Sequence, residues 1–188
     1  MGSAVTRKKQ DMPNTQSGSR DQTRATDSDS EWLQTRPGER CRIRVAAADT
    51  NGAYSVVEIV AETGDSTPMH VHQNEDEHFL ILEGSARIAY GDKMLDAAAG
   101  ETISLSRDIP HAWGNASASP LRMVVIASPG GCEEALRIIA KGGDVDLAAL
   151  AKKFKIRVVG PPLLGGVVTA GRLRKLMHSE KHRRSAHG

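Results

Sequence analysis

Short apolar runs alternate with polar residues between residues 41 and 127, and turn-forming residues separate the runs. Successive side chains of a β-strand point to opposite faces, so a period of two is typical of strands with one buried face. Asn51-Gly52 and Gly91-Asp92 favour tight turns, because these residues tolerate positive φ. The pattern predicts strands at residues 41–46, 54–61, 69–72, 77–83, 86–90, 93–97, 101–105, 111–115 and 121–127. Many short antiparallel strands indicate an all-β sandwich or closed barrel.

The period changes to that of a helix after the turn Ser128-Pro129-Gly130-Gly131. Apolar residues recur at helical spacing in 133–139, and Gly142-Gly143 ends this run. A second helix is predicted within 144–154, followed by an extended segment at 156–159. We expect these short C-terminal helices to cap the outer face of the barrel.

Both ends of the chain differ in composition from this central part. Residues 1–30 are polar and contain almost no large apolar side chains, so they are predicted to be a disordered tail. Residues 31–162 are predicted to form one domain. Residues 163–188 are predicted to be a flexible basic tail, in which His178, His182 and His187 lie among Lys and Arg.

Net charge, the lack of long apolar runs and the cysteine content indicate which partners and which cellular compartment to expect. The formal net charge of +2 gives no general case for nucleic-acid binding. No apolar run is long enough to predict a signal peptide or a membrane span. Cys41 and Cys132 stand in no ligand or redox pattern, which fits free thiols in a reducing compartment. The sequence therefore predicts a soluble cytoplasmic protein with neither a nucleic-acid nor a membrane partner.

Three histidines and one glutamate have the spacing of a metal site. His70 and His72 lie two residues apart on one predicted strand, so both point to the same face. Glu77 begins the next strand and is expected to face His72 across a hairpin, and His111 opens a later strand. Three imidazoles and a carboxylate suit one divalent ion of Fe, Mn, Ni, Co, Cu or Zn, and the lack of thiolate argues against a closed structural zinc site. Four protein ligands leave positions open for substrate, water or O2.

Apolar and acidic neighbours surround these candidate ligands in the sequence. Phe79 and Ile81 share the face of Glu77, and Trp113 shares that of His111. These three side chains are predicted to line a substrate pocket, with ordinary barrel core as the equal alternative. Glu75 and Asp76 are predicted to be solvated turn carboxylates, with an influence on the charge at the pocket mouth as the alternative.

The predicted strand 77–83 is apolar on its other face as well. Leu80 and Leu82 point away from the expected barrel interior, while His78 is a polar residue on that same outer face. An apolar outer face needs a cover, which predicts a homodimer unless another sheet of the same chain supplies it.

The metal-site spacing resembles the two sequence motifs of the cupin superfamily. The first motif, G(X)5HXH(X)4E(X)6G, is matched at every fixed position, by Gly64, His70, His72, Glu77 and Gly84. The second, G(X)5PXG(X)2H(X)3N, is matched at Gly100, His111 and Asn115, whereas Ser106 and Asp108 stand where the family has Pro and Gly. The departure affects a turn and no metal ligand.

Specifically, the chain resembles small bacterial cupins of the quercetin dioxygenase-like group. The resemblance implies a jelly-roll barrel with a metal held by His70, His72, Glu77 and His111. It also implies that Glu77 takes a proton from a small enol or flavonol-like substrate that then reacts with O2.

Two other functions fit the same fold, because the cupin fold carries many activities. A metal-dependent isomerase or epimerase is expected to hold an anionic substrate with an Arg or Lys inside the barrel, where Arg87 and Arg122 are the candidates. A non-catalytic small-molecule sensor is the other alternative.

Overall fold

The computed structural model describes residues 31–165, which contain eleven strands and two α-helices. The predictions for residues 1–30, and for the tail beyond residue 165, lie outside the described residues. In chain order the strands are β1 (Leu33–Arg36), β2 (Glu39–Val45), β3 (Ser55–Ala61), β4 (Pro68–His72), β5 (Asp76–Glu83), β6 (Ser85–Tyr90), β7 (Lys93–Ala98), β8 (Thr102–Leu105), β9 (His111–Gly114), β10 (Leu121–Ser128) and β11 (Ile156–Pro162). The helices are α1 (Glu133–Ala140) and α2 (Leu147–Lys153), and a short 3-10 helix spans Ala47–Thr50.

The strands form two antiparallel sheets, which confirms the all-β jelly roll predicted from the sequence. The first sheet has six strands in the order β1-β2-β3-β10-β5-β8, and the second has five in the order β11-β4-β9-β6-β7. The nine strands predicted from alternation all form, with ends within two residues of the prediction. The structure adds β1, whose segment LQTR has no apolar alternation to reveal it.

The core lies between the sheets, because alternate residues of each strand point inward. In β5, Glu77, Phe79 and Ile81 are buried, while Leu80 and Leu82 of the other face are 37% and 38% exposed. Each fully buried Phe or Ile side chain contributes roughly 1.5–3 kcal/mol through removal of apolar surface from water. The core that results fixes the register of the strands that carry the metal-site residues.

The connection between β4 and β5 differs from the predicted hairpin. β4 pairs with β9 and β11 in the five-stranded sheet, whereas β5 pairs with β10 and β8 in the six-stranded sheet. The short turn at residues 73–75 therefore crosses from one sheet to the other. As a result, Glu77 faces His72 across the barrel interior rather than across a hairpin.

The first helix also lies elsewhere than predicted. Ala135, Leu136 and Ile139 of α1 line an interior cavity, so this helix closes the space between the sheets instead of covering an outer face. The buried Glu133 holds the start of α1, because its carboxylate accepts hydrogen bonds from the backbone N–H groups of Ala47 (2.8 Å) and Gly131 (2.7 Å). Within residues 31–165, no helix is long and apolar enough to cross a membrane.

Asp108 stands at the motif position that is Gly in the family, and its backbone is left-handed with φ of 64°. Its N–H donates to the carbonyl of His72 at 2.8 Å, so this turn holds the end of β4. We expect Asp108→Gly to leave the free energy of unfolding unchanged or raise it, and Asp108→Ala to lower it by about 1 kcal/mol, because a Cβ is strained at positive φ and Asp tolerates it better than Ala.

Urea denaturation of the two variants measures this difference. The exposed Ser106, the other departure from the motif, provides the control, since Ser106→Ala should change stability by less than about 0.5 kcal/mol. Equal stability of the Gly and Ala variants at position 108 would show that the turn carries no strain.

Candidate metal centre

The three predicted histidine ligands all come from the five-stranded sheet. His70 and His72 project from the same face of β4, and His111 begins β9 directly opposite His70. The imidazole centroids are 4.6 Å apart for His70 and His111, 5.1 Å for His70 and His72, and 5.5 Å for His72 and His111. Glu77 completes the group from β5 of the other sheet, and one donor atom of each residue lies within 4.8 Å of all the others.

A hydrogen bond at Nδ1 orients each of the three imidazoles. The Nδ1 of His70 lies 2.7 Å from the carbonyl of Pro68, and the Nδ1 of His111 lies 2.9 Å from that of Ile109. The Nδ1 of His72 lies 3.2 Å from Oε2 of Glu75. Carbonyl and carboxylate oxygens accept hydrogen bonds, so each Nδ1 carries a proton. The lone pair of each Nε2 is then the one available to a metal ion. Fixing the second ring nitrogen in this manner is characteristic of metal-binding histidines.

Glu77 reaches the Nε2 atoms from across the barrel. Its Oε2 is 3.0 Å from Nε2 of His111, and its Oε1 is 3.8 Å from Nε2 of His72. Two ligand atoms that each lie about 2.1 Å from one ion, with a right angle between their bonds to it, are about 3.0 Å apart. The separations thus suit a shared ion, and the neutral imidazole and carboxylate donors are those preferred by first-row divalent metals.

Burial and mutual charge set the protonation of this cluster. Burial, followed by the nearby His111 and His72, lowers the pKa of His70 to about 4. Burial opposes ionisation of Glu77, but His72, His111 and His70 outweigh it and hold its pKa at about 2. Burial also acts to lower the pKa of His72, yet Glu77 and Glu75 together raise it. At neutral pH the cluster therefore offers an unprotonated imidazole at His70 and an ionised carboxylate at Glu77.

The two acidic residues before Glu77 have different environments. Asp76 lies at the surface and pairs with Arg107 at 2.7 Å, as expected of a turn carboxylate. Glu75 is only 4% exposed and bonds to His72, so the prediction of a solvated side chain is wrong for this residue. The turn between the two sheets buries Glu75. The only signal of its contact with His72 in the sequence is that Glu75 lies three residues after this ligand.

A cavity of about 190 Å³ adjoins the candidate ligands. Of the three predicted pocket residues, Trp113 lines this cavity, whereas Phe79 and Ile81 lie in the hydrophobic core. The remaining wall is largely apolar and comes from both sheets, from α1 and from the residue before it, with Val57, Ile59, Val125, Ala127, Cys132, Ala135, Leu136, Ile139 and Ile156.

A second polar region of the cavity comes from β1 and β2. Arg36 stacks on Trp113, with the guanidinium carbon 5.4 Å from the ring centroid, and its Nη2 is 2.7 Å from both Glu39 and Asp65. Burial raises the pKa of Glu39, and Arg36 opposes this only in part. Sequence reasoning missed Arg36 because it missed β1.

Arg87 and Arg122, the sequence candidates for an interior cation, point outward instead. Arg87 pairs with Asp96 at 2.9 Å, and Arg122 pairs with Glu58 at 2.7 Å and with Glu83 at 2.9 Å. All these contacts lie on the outer faces of the sheets, so neither arginine reaches the cavity.

Asn115, the last motif residue, has a structural place. Its Nδ2 donates to the carbonyls of Ala61 (3.0 Å) and Ser119 (2.8 Å), which ties the end of β9 to the six-stranded sheet. Cys132 lines the cavity, and burial together with nearby carboxylates raises the pKa of its thiol well above the usual value. Both described cysteines are free, in agreement with the sequence analysis.

Comparison with known proteins agrees with this architecture. Residues 57–127 match the family model for the cupin domain, a segment that contains all four candidate ligands. The structure of KdgF from Halomonas sp. superposes with a TM-score of 0.52 at 12% identity, over 60% of this chain and 99% of that one. The domain match shows that this central segment is similar to a cupin domain, and the superposition shows the same fold.

Two curated relatives are about a quarter identical to this chain over the aligned residues. Mannose-1-phosphate guanylyltransferase 2 of Escherichia coli O157:H7 is 26% identical over 80 residues, which is 43% of this chain but 17% of that protein. Uncharacterized protein MJ1618 of Methanocaldococcus jannaschii is 27% identical over 75 residues, or 40% of this chain and 60% of that one. The chain thus spans less than two thirds of the length of either relative.

Proposed function

We propose that the protein is a metal-dependent cupin enzyme, a dioxygenase that acts on a small enol. The observation that carries the proposal is the convergence of three Nε2 atoms and one ionised carboxylate beside an apolar cavity. His70, His72, His111 and Glu77 would hold one divalent ion, which when bound acidifies a coordinated hydroxyl and leaves positions for O2. The two free cysteines fit the reducing cytoplasm as its place of action.

Glu77 is the carboxylate available to accept the substrate proton. Its pKa, held at about 2 because His72, His111 and His70 outweigh the effect of burial, keeps it ionised at neutral pH and able to accept a proton. The enol of a β-diketone is a suitable proton donor, because its hydroxyl is acidic compared with that of an alcohol. The apolar wall formed by Val57, Val125 and Ile139 keeps bulk water from the resulting anion.

Cavity size further limits the substrate. Sites for drug-sized ligands occupy roughly 300–1,000 Å³. A cavity of about 190 Å³ is smaller than that range, so it favours a compact enol over a three-ring flavonol. Trp113 supplies a flat face against which a conjugated enol can pack.

Arg36 favours a second candidate function, a metal-dependent isomerase of an anionic substrate. Its guanidinium lines the cavity, where it is placed to bind a carboxylate or phosphate. Glu39 and Asp65 already neutralise this charge, which makes the isomerase the weaker candidate.

An oxygen-electrode screen of metal-reconstituted protein tests the proposal. We expect O2 uptake with small β-diketones, little with flavonols, and none with metal-free protein. No uptake above the metal-only control with any enol would refute a dioxygenase, and interconversion of an anionic substrate without O2 would support the isomerase. Tight ligand binding with no turnover would instead support a sensor.

We also propose that the protein is a homodimer that buries the outer face of the six-stranded sheet. Leu80 and Leu82 of β5 are exposed large apolar residues of that face, and Leu80 lies opposite Val124 of β10, while Ile126 of β10 lies opposite His78. An apolar surface of this kind on a sheet is typical of a protein–protein contact. Light scattering should give twice the monomer mass.

The double variant Leu80→Glu, Leu82→Glu should then be monomeric, because it places like charges in the contact. Met94, 57% exposed on β7 of the other sheet, provides the control, since Met94→Glu should stay dimeric. A wild-type protein that is monomeric at high concentration would reject this dimer.

A further inference from the structure

The three candidate imidazole ligands are not held alike. His70 and His111 donate from Nδ1 to backbone carbonyls, of Pro68 and Ile109. His72 alone donates to a side chain, the carboxylate of Glu75 at 3.2 Å. A carboxylate acceptor draws the Nδ1 proton more strongly than a carbonyl does, and this makes the opposite Nε2 a better electron donor.

Burial strengthens this contact. His72 and Glu75 are 5% and 4% exposed, so water does not screen the charge of the carboxylate from the imidazole. Glu75 sits in the turn at residues 73–75, whose ends are fixed by β4 in one sheet and β5 in the other. The N–H of Gln73 donates to the carbonyl of Lys155 at 3.1 Å, which holds the same turn against the start of β11. The position of the carboxylate is therefore set by the backbone and not by a flexible surface loop.

We propose that Glu75 is a positioning residue of the metal centre, one that fixes the ring of His72 and increases the electron donation of its Nε2. This inference rests on the proposed metal centre. Glu75 acts through His72 and does not ligate, because it lies on the Nδ1 side of the ring while the cluster gathers at Nε2. Its charge adds to that of Glu77, so a divalent ion would be balanced by two carboxylates instead of one.

A purely structural ion pair between Glu75 and His72 makes a different prediction. Such a pair would stabilise the metal-free protein and have no influence on how tightly an ion binds. The positioning role predicts weaker binding and an altered ligand field, both of which are measured without substrate turnover.

The experiment compares Cu(II) binding in wild-type protein, Glu75→Gln and Glu75→Ala, by competition with a chelator and by electron paramagnetic resonance. Loss of partners of this kind weakens metal binding by about 10–100-fold, which we expect for Glu75→Ala. Glu75→Gln keeps an acceptor oxygen but loses the charge, so its affinity should be intermediate and its copper hyperfine splitting should differ from wild type. Asp76→Asn is the matched control and should keep wild-type affinity and spectrum, since Asp76 pairs with Arg107 at the surface.

The outcomes test the role of Glu75 and the existence of the metal centre separately. A wild-type affinity and spectrum in Glu75→Gln and Glu75→Ala, even with a lower melting temperature, would overturn the role of Glu75 and leave the metal centre standing. A wild-type protein that binds no ion would overturn the metal centre itself and this inference with it. Should Glu75→Ala fail to fold, the near-isosteric Glu75→Gln decides the result, because its size and acceptor oxygen preserve the buried contact.

Discussion

Replacing His111 with alanine should abolish the stabilisation that a bound metal gives the wild-type protein. A ligand that binds only the folded state stabilises it by about 2.7 kcal/mol at 100 times its dissociation constant and about 4.1 kcal/mol at 1,000 times. His111 supplies an Nε2 at the centre of the cluster, 3.0 Å from Glu77, so its loss removes one donor and leaves the carboxylate without that contact. We therefore expect wild-type protein to gain about 3–4 kcal/mol with excess metal and His111→Ala to gain almost none. His72→Ala should behave in the same way.

Thermal melts with and without added metal, together with elemental analysis, measure this effect. The rise in melting temperature on adding metal is measured separately for each variant. This removes the effect of the substitution on packing, to which the buried imidazole also contributes. His78→Ala is the matched control: this histidine lies on the outer face of β5 and bonds to Ser104 at 2.9 Å, so its rise in melting temperature should equal that of wild type. Full metal content in His72→Ala and His111→Ala would contradict the assignment of the site.

Glu77→Gln should lose far more turnover than metal. The amide oxygen can still ligate, so we expect weaker metal binding that excess metal overcomes. The amide cannot accept the substrate proton, and loss of a general base typically costs about 10²–10⁴-fold in rate. Turnover should therefore fall steeply when it is expressed per bound ion.

The measurement is O2 uptake per equivalent of metal with the best substrate of the screen. Met94→Glu serves as the control, because its exposed side chain on β7 lies outside the proposed dimer contact and does not line the cavity. An unchanged rate per ion in Glu77→Gln would make Glu77 a ligand only and assign the proton to another acceptor.

Sequence reasoning predicted nine strands correctly because alternation of apolar and polar residues is a local pattern. Strand β5 illustrates this: alternation alone assigns Glu77, Phe79 and Ile81 to the interior, and the structure buries all three. The motif spacing likewise brought together the four residues whose donor atoms cluster in the structure. Alternation is contained within a single strand, whereas the motif extends from Gly64 to Asn115 and is recognised by its fixed spacing.

The features that sequence reasoning missed depend on pairing between distant segments. Phe79 fits a pocket wall and a core equally well in sequence, and only the position of α1 and of Trp113 decides where the cavity lies. The prediction of a solvated Glu75 was wrong because the turn at residues 73–75 joins the two sheets and not neighbours in one sheet. Arg36 was overlooked since β1 is recognised only through its pairing with β2.

The division of the candidate ligands between the two sheets also determines when an ion can be acquired. In an unfolded chain only one residue separates His70 from His72. Glu77 joins them once the turn at residues 73–75 has formed between the two sheets, and His111 joins them once β9 has paired with β4. Pairing of distant strands is slow in the folding of β-proteins. A newly made chain would therefore present all four donor atoms together only once these strands have paired.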